Sequence, residues 1–419
     1  MKKIIFIFLL STLCAQSETK ITISIFDNDK GSLILNSQQN GLYQNLSSSS
    51  NIKINHSLKL PDSKIQLSQA WYVNDEGLNL LKLSLSKKGF YGTTLIGMFP
   101  VEKVYQSNYS TGSMVFSENA QNIPAIGFNS NWIKFFNLME VKFETFNGQF
   151  PSQKNYSLGP YLHYKSVLFK KDYDLAKFGF QIQHAVQFGG NDQFGNKIPI
   201  NLRTYLRMVA SQSGDSTQPG QDQNYKIGNG VGSYIFSFDR EYKNLNFILY
   251  YEHFFDDKSG AKLKNLGDGL KGLQISSSNF IFNFERLDTR NQSGNQHPPG
   301  VDSYYWHRTY EFGWSNDGNS IGNAFISPTN NRKFLNSLSI ERQFKKFNLI
   351  AKYIDVNEYE PYLDKNKNLP YTNHQEIISK KYYSLIGIKL KINEDSYINF
   401  ISARENGFQI NKLSYTIDI

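Results

Sequence analysis

Apolar and polar residues alternate with a period of two along much of the chain. The alternation is clear over residues 52–60, 81–86, 279–285 and 386–392. Such a period puts apolar side chains on one face of a β-strand and polar side chains on the other. Turn-like clusters such as Pro61-Asp62-Ser63 separate the segments, and no helical period of comparable length competes with them. The sequence therefore predicts an all-β fold.

The same pattern runs to the last residue. Leu413, Tyr415, Ile417 and Ile419 alternate with Ser414, Thr416 and Asp418. A strand at the very end of the chain is expected in a closed barrel, where the last strand pairs with the first and leaves no open edge. Outer-membrane barrels commonly end on an aromatic residue, and Ile419 departs from that habit.

The first 17 residues have the features of a signal peptide. A basic pair, Lys2 and Lys3, precedes an apolar run over residues 4–10, which is too short to anchor a chain in a bilayer. Ala15-x-Ser17 fits a signal-peptidase site with cleavage before Glu18, and cleavage after Ala15 is the alternative.

Cys14, the only cysteine, lies inside this predicted signal peptide. Attachment of a lipid at Cys14 is disfavoured because the preceding residue, Leu13, is not small. Cleavage removes Cys14, so the mature chain is expected to form no disulfide and no thiolate metal site.

Composition favours a membrane barrel. Only 39% of the 419 residues are hydrophobic, yet the chain has 26 Tyr and 32 Phe. After the signal peptide no apolar run approaches 18 residues, so helical membrane spans are not expected. A polar average with many aromatic residues suits a barrel that has a wet lumen and aromatic girdles at both membrane interfaces. A soluble all-β periplasmic protein is the alternative.

The spacing of the strands gives the size of the barrel. Strands recur about every 20 to 25 residues, which predicts a transmembrane antiparallel barrel of roughly 16–18 strands over residues 51–419. Residues 18–50 are expected to form a periplasmic or plug-like segment before it. Four polar, Gly-rich stretches are the candidate loops: 189–201, 211–232, 256–272 and 289–302.

These loops and the strands between them resemble the Wzi capsule-assembly family of outer-membrane proteins. The resemblance is carried by the order of several motifs: Asn122-Ile123-Pro124, Leu162-His163-Tyr164-Lys165, residues 178–190, Tyr250-Tyr251-Glu252-His253-Phe254, Asp257-Lys258-Ser259-Gly260, residues 265–272, residues 285–294, Asp302-Ser303-Tyr304-Tyr305, Gly313-Trp314 and Ile321-Gly322-Asn323. It implies an 18-stranded barrel that acts as a lectin and helps attach capsular or exported polysaccharide to the cell, without catalysis. Family members carry a helical bundle before the barrel, whereas residues 18–50 show no helical period.

An aromatic and basic stretch is the candidate carbohydrate-binding site. It comprises Arg286, Arg290, Tyr304, Tyr305, Trp306, Arg308 and Trp314. Aromatic faces pack against the apolar face of a pyranose, and arginines bind the carboxylate of a uronic acid. The alternative is an interfacial aromatic girdle, with lumenal arginines paired to acids such as Glu285 and Asp288.

Charge bears on the partners. Loss of Lys2 and Lys3 lowers the formal net charge from +9 to +7. This charge favours an acidic polysaccharide, and contact with lipopolysaccharide at the rim explains it equally well. Outer-membrane lipid and lipopolysaccharide are the other expected partners, and nucleic acid is not expected. No enzyme motif, cofactor or metal-ligand spacing is found. A general diffusion porin for small solutes is the alternative function.

Overall fold

The computed structural model describes residues 16–27, 32–37, 50–60, 63–74, 77–105, 107, 109–136, 138–152, 158–224, 226–292, 303–360 and 377–419. The strands are β1 Gln16–Phe26, β2 Ser50–Leu60, β3 Ile65–Asn74, β4 Gly77–Lys88, β5 Gly92–Gly97, β6 Ala125–Ser130, β7 Ile133–Phe135, β8 Met139–Gln149, β9 Tyr161–Tyr173, β10 Ala176–Phe188, β11 Asn229–Tyr242, β12 Leu245–Phe255, β13 Gly269–Ser277, β14 Phe280–Asp288, β15 Ser315–Asn316, β16 Asn319–Ser320, β17 Lys333–Gln343, β18 Phe347–Tyr359, β19 Ile377–Lys391, β20 Ser396–Glu405 and β21 Phe408–Asp418. The helices are α1 Leu33–Asn36, α2 Leu202–Val209, α3 Gly220–Asn224 and α4 Lys258–Ala261.

Nineteen of these strands form one closed antiparallel sheet. Each strand pairs with its neighbours in sequence, and β1 pairs with both β2 and β21, which closes the ring. β6 and β7 both pair with β8 and are two pieces of one interrupted strand, so the barrel has 18 strands. The predicted all-β barrel is confirmed. Its strand count equals the 18 that the family resemblance implies.

The barrel begins earlier than the sequence suggested. Residues 18–26 were assigned to a segment before the barrel, but the structure places them in β1, where Ile21 faces Ile54 on one side and Ile417 on the other. This corrects that boundary. The reason is topological, because the last strand needs a neighbour to satisfy its edge. Residues 1–15 of the predicted signal peptide lie outside the described residues, and cleavage before Glu18 stays a prediction.

Alternation in the strands separates an apolar outer face from a polar lumen. In β21, Leu413 and Tyr415 are 48% and 38% exposed, whereas Ser414 and Thr416 point inward and are buried. In β19, Ile386 likewise faces outward and is 58% exposed. Outward apolar side chains of this kind are what lipid requires of a barrel.

The two ends of the barrel differ. At one end every connection between strands has two to four residues, and both β1 and β21 have their outer termini there. At the other end lie all the long connections, namely residues 27–49, 98–124, 150–160, 189–228, 256–268, 289–332 and 360–376. Outer-membrane barrels keep short turns in the periplasm and long loops outside. The long-loop end is therefore the cell-surface end.

One long connection does not stay outside. Residues 98–124 fold into the lumen and bind inward-facing carboxylates of the wall. The backbone N–H of Thr111 donates to Glu285 at 2.6 Å, and the hydroxyl of Ser113 donates to Glu252 at 2.8 Å. Each contact pairs a buried acid with a donor that would otherwise be unsatisfied. We call residues 98–124 the plug segment.

A second connection packs onto the plug segment. Residues 303–332 include the β15–β16 hairpin, and Trp314 Nε1 donates to the carbonyl of Val115 at 2.8 Å. The Tyr305 hydroxyl donates to the carbonyl of Met114 at 2.5 Å. All four side chains are fully buried, so the middle of the barrel has a packed core rather than an open pore.

Candidate functional site

Three of the seven predicted site residues belong to this core. Tyr304, Tyr305 and Trp314 have no exposed surface. Tyr304 donates its hydroxyl hydrogen to Asp268 at 2.6 Å and accepts a hydrogen bond from Asn265 at 2.5 Å. A side chain without exposed surface cannot stack on a sugar, so the structure removes these three from the candidate set.

Arg286 and Arg290 lie at the cell-surface end of β14. Arg286 faces outward, and its guanidinium is 5.2 Å from the centre of the Phe334 ring. Arg290 forms a two-pronged ion pair with Asp288, with N···O distances of 2.9 and 2.6 Å. This hydrogen-bonded carboxylate raises the pKa of Arg290. Arg290 and Asp288 are thus paired as the girdle alternative expects, but on the outward side of β14 and not in the lumen. Glu285 does face the lumen, where it binds the plug segment and not an arginine.

Trp306 and Arg308 come together in a large cavity at the long-loop end. The cavity has a volume of about 1610 Å³. Trp306 is half-buried in its wall, and Arg308 is exposed. We call it the rim cavity. Among the other residues that line it are Lys165, His184, Asp192, Phe194, Arg207, Lys226, Tyr234, Phe255, Asp256, Asp257, Lys258 and His307.

The loop from β10 to β11 builds one side of the rim cavity. Gly189 and Gly190 have φ values of +60° and +70°, and a Cβ on Gly190 would meet the backbone of Pro160 at 2.6 Å. Only glycine fits such a turn. The loop then enters α2, whose N-terminus is capped by Asn201, because its side chain accepts from the N–H of Thr204 at 2.9 Å. These features place Arg207 on the cavity wall.

Cations outnumber carboxylates around the cavity. Five cationic residues and three carboxylates line it. Asp192 is hydrogen-bonded within its own turn, because its Oδ1 accepts from the N–H groups of Phe194 and Asn196 at 2.8 Å each. Burial raises the pKa of Asp256 to about 7, so this carboxyl is only partly ionised at neutral pH. The cavity therefore attracts anions.

The imidazole of His307 adds no charge. Burial, and to a smaller extent the positive charge of Lys226, lowers the pKa of His307 to about 3. Lys226 itself binds the carbonyls of Gly230 and Asp256. His307 is itself buried, so the half-buried indole of Trp306 is the ring on this wall suited to the apolar face of a sugar.

Most of the cavity was not foreseen from the sequence. The candidate loops at residues 189–201, 211–232 and 256–272 do surround it, and the motif Asp257-Lys258-Ser259-Gly260 contains Lys258, but no motif marked Phe194, Arg207 or Lys226. The local signal for α2 is an amphipathic pattern of eight residues after Asn201, which is too short to predict a helix among so many strands. Proximity to Trp306 depends on the folded barrel.

Within the described part of the chain, no three His, Cys, Asp or Glu side chains lie close enough to hold a metal ion. Among the same residues, no helix has the length and apolar character needed to cross a membrane.

Comparisons with solved structures show the class of barrel. The structure is similar to the outer membrane protein OpdK from Pseudomonas aeruginosa, with a TM-score of 0.50 at 8% identity over 96% of this chain and 98% of that one. It also matches Pseudomonas aeruginosa OpdL, with a TM-score of 0.47 at 8% identity over 97% and 98%. Acinetobacter baumannii OccAB3 matches with a TM-score of 0.44 at 10% identity over 97% and 99%. The likeness to OpdK shows the fold alone, an outer-membrane β-barrel.

Comparison of the sequence is more specific. No curated protein matches the chain. The family described as capsule assembly protein Wzi matches residues 108–356, which is more than half of the chain. The match includes part of the plug segment, the loops around the rim cavity and the strands between them. The chain therefore belongs to the Wzi family of capsule assembly proteins.

Proposed function

We propose that the protein binds an acidic capsular or exported polysaccharide at its long-loop end and so helps to assemble or attach the polymer at the cell surface. The observation that carries the proposal is the rim cavity, where an indole and a surplus of cations meet on loops at the cell-surface end. Its 1610 Å³ exceeds the roughly 300–1,000 Å³ of a site for one small ligand. That size suits several sugar units of a chain.

In this proposal, different side chains contact the ring and the carboxylate of a sugar acid. Trp306 offers a ring face to the C–H side of a pyranose. Arg308 is exposed beside it and offers a planar pair of donors to a carboxylate. Arg207 also lines the cavity, and its Nε donates to the carbonyl of Ser213 at 2.8 Å. No catalytic group is part of the proposal, and the activity proposed is binding.

Binding of the purified acidic polymer by single variants tests the site. We expect Trp306→Ala and Arg308→Gln each to weaken binding by about 1–3 kcal/mol, the size of a lost charged hydrogen bond. Arg286→Gln is the matched control, since Arg286 faces outward from β14 and does not line the cavity. Unchanged binding in Trp306→Ala and Arg308→Gln would refute the site, and a loss in Arg286→Gln instead would move it to β14.

The porin alternative shares the barrel but is opposed by the plug segment, which crosses the lumen and binds Glu252 and Glu285. Deletion of the gene separates the two functions. Loss of polymer from cells, with more polymer in the medium, supports attachment. A fall in small-solute uptake with unchanged polymer would favour the porin.

A further inference from the structure

The back wall of the rim cavity is the outer surface of the barrel, not the lumen. Lys165, His184 and Tyr234 point outward from β9, β10 and β11, while their sequence neighbours point inward. Among those neighbours, Gln183 and Ser233 form a hydrogen bond of 2.9 Å inside the barrel. The cavity therefore stands on the face that lower down is covered by lipid.

Helix α2 lies against that same outer surface. An apolar cluster of Val186, Phe188, Met208 and Ile227 holds the loop to the wall. The Tyr205 hydroxyl adds a hydrogen bond of 3.0 Å to the outward-facing Asn147 of β8. The loop around residues 189–228 is thus fixed beside the barrel rather than above its mouth.

The side of this loop that faces away from the wall carries three exposed apolar side chains, with Arg203 exposed between them on α2. Leu202 and Leu206, one turn apart on α2, are 73% and 57% exposed, and Phe194 is 79% exposed. Exposed leucines on a short amphipathic helix at a membrane-facing wall are typical of a segment immersed in the lipid interface. The rim cavity is therefore bounded by lipid on its outer side.

A groove lined by aromatic rings continues from the cavity toward the membrane centre. Its volume is 680 Å³, and Phe178, Phe180, Phe236 and Phe238 line it. The rings of Phe180 and Phe236 lie 4.7 Å apart, and those of Phe178 and Phe238 lie 5.0 Å apart. Tyr234 of the cavity and Phe236 of the groove are successive outward residues of β11, about 7 Å apart along the strand.

The cationic side chains thus lie nearer the cell surface and the aromatic rings nearer the membrane centre. The headgroup and acyl chains of an anionic lipid have the same arrangement. We infer that the rim cavity and the groove together hold one phosphorylated glycolipid of the outer leaflet. Its sugar phosphates lie against Arg207, Lys258 and Arg308, and an acyl chain lies along the phenylalanines. Guanidinium groups bind phosphate through paired hydrogen bonds. The inference rests on the proposed function in placing sugar in the cavity, and adds that this sugar is carried on a lipid.

The test compares two probes on the full purified protein in detergent. One probe is intact rough-type lipopolysaccharide, with a phosphorylated lipid A and a short core. The other is the oligosaccharide that complete alkaline deacylation leaves from it, which keeps the phosphorylated sugar backbone and lacks the acyl chains. We expect the intact glycolipid to bind at least about tenfold more tightly, because burial of acyl groups adds to the contacts of the sugar.

Paired variants locate the acyl chain. Phe180→Ala with Phe236→Ala removes a facing pair in the groove. The matched control is Ile388→Ala with Phe400→Ala, another outward facing pair, nearly opposite in the ring of strands. We expect the groove pair to lose at least about tenfold in affinity for the glycolipid and nothing for the oligosaccharide, and the control pair to lose neither.

Equal binding of the two probes by the wild-type protein, or equal losses in the groove and control pairs, would overturn the inference. The proposed function would then still stand if acidic polymer binding depended on Trp306 and Arg308. Heat-modifiable gel mobility checks folding of each variant. If the alanine pair fails to fold, the single variant Phe236→Ala with Phe400→Ala as its single control removes less of the surface and gives the same comparison, with a smaller expected loss.

Discussion

Trp306 and Trp314 are eight positions apart in the sequence and have different surroundings in the structure. Trp314 is fully buried, donates to the carbonyl of Val115 and has Phe116 5.6 Å away, ring centre to ring centre. Trp306 lines the rim cavity. The sequence made both tryptophans candidates for sugar binding. Whether each one lines the cavity or lies in the core depends on how residues 303–332 fold over the plug segment.

Truncation to alanine should separate the two tryptophans. We expect Trp314→Ala to lower the free energy of unfolding by about 3–5 kcal/mol, because it empties a packed site and removes a hydrogen bond. We expect Trp306→Ala to change it by less than about 1 kcal/mol. Urea unfolding of the reconstituted barrel measures both. Equal losses would mean that Trp306 is part of the core.

Asp268 shows how a buried acid joins the loops. It accepts hydrogen bonds from the N–H groups of Asn291 and Gln292 at 2.9 and 2.8 Å, besides that from Tyr304. Burial raises the pKa of Asp268 to about 7. Between about pH 4 and pH 7 the folded site therefore holds more protons than an open, solvated one, so its stability falls as pH rises through this window.

Hydrogen exchange at the amides of Asn291 and Gln292 reports this equilibrium. We expect the free energy of local opening to decrease from pH 5 to pH 8 in the wild-type protein, and Asp268→Asn to remove most of that slope. Tyr310→Phe is the control, since it removes another buried hydroxyl without touching Asp268. An opening free energy that rises with pH in the wild type would contradict the assignment.

Elements differ in how far the sequence predicts them. The strands could be predicted because lipid imposes an apolar residue at every second position, which is a local pattern. The plug segment could not, because its partners come from distant strands: Gln121 donates to the carbonyl of Leu80, and Asn119 donates to that of Ser320. A segment whose polar groups are satisfied one by one leaves no period in its sequence.

Removal of the plug segment should open a pore. An empty barrel of 16 to 18 strands is wide enough to hold an aqueous channel. We expect replacement of residues 101–121 by a short Gly-Ser linker to raise conductance in planar bilayers several-fold over the wild-type protein. Deletion of residues 215–219 from the outer loop is the control and should have no effect. A wild-type conductance already equal to that of the variant would show that the plug segment does not obstruct the lumen.

At the scale of the whole molecule, the barrel and its orientation could be predicted, but the place of the binding surface could not. Net positive charge was visible in the sequence, whereas its concentration beside α2 depends on a loop that folds down outside the wall. Arg207 and Arg308 are 101 positions apart in sequence, and both line the rim cavity. Global composition thus indicated a class of partner, and three-dimensional proximity was needed to bring together the residues of the rim cavity, where we propose that this partner binds.

The pairing of β1 with β21 limits the order in which the strands of the barrel can pair. Lys20 and Asp418 meet across this seam although 398 positions separate them, and the backbone groups of Thr19 and Ile419 bond in both directions at 3.0 and 2.7 Å. Ring closure over that length has the largest entropic cost of any pairing in the sheet. The seam is therefore the last contact available to a chain delivered from its N-terminus. Until it forms, β1 and β21 each present one unpaired edge, which is a template for pairing with another chain.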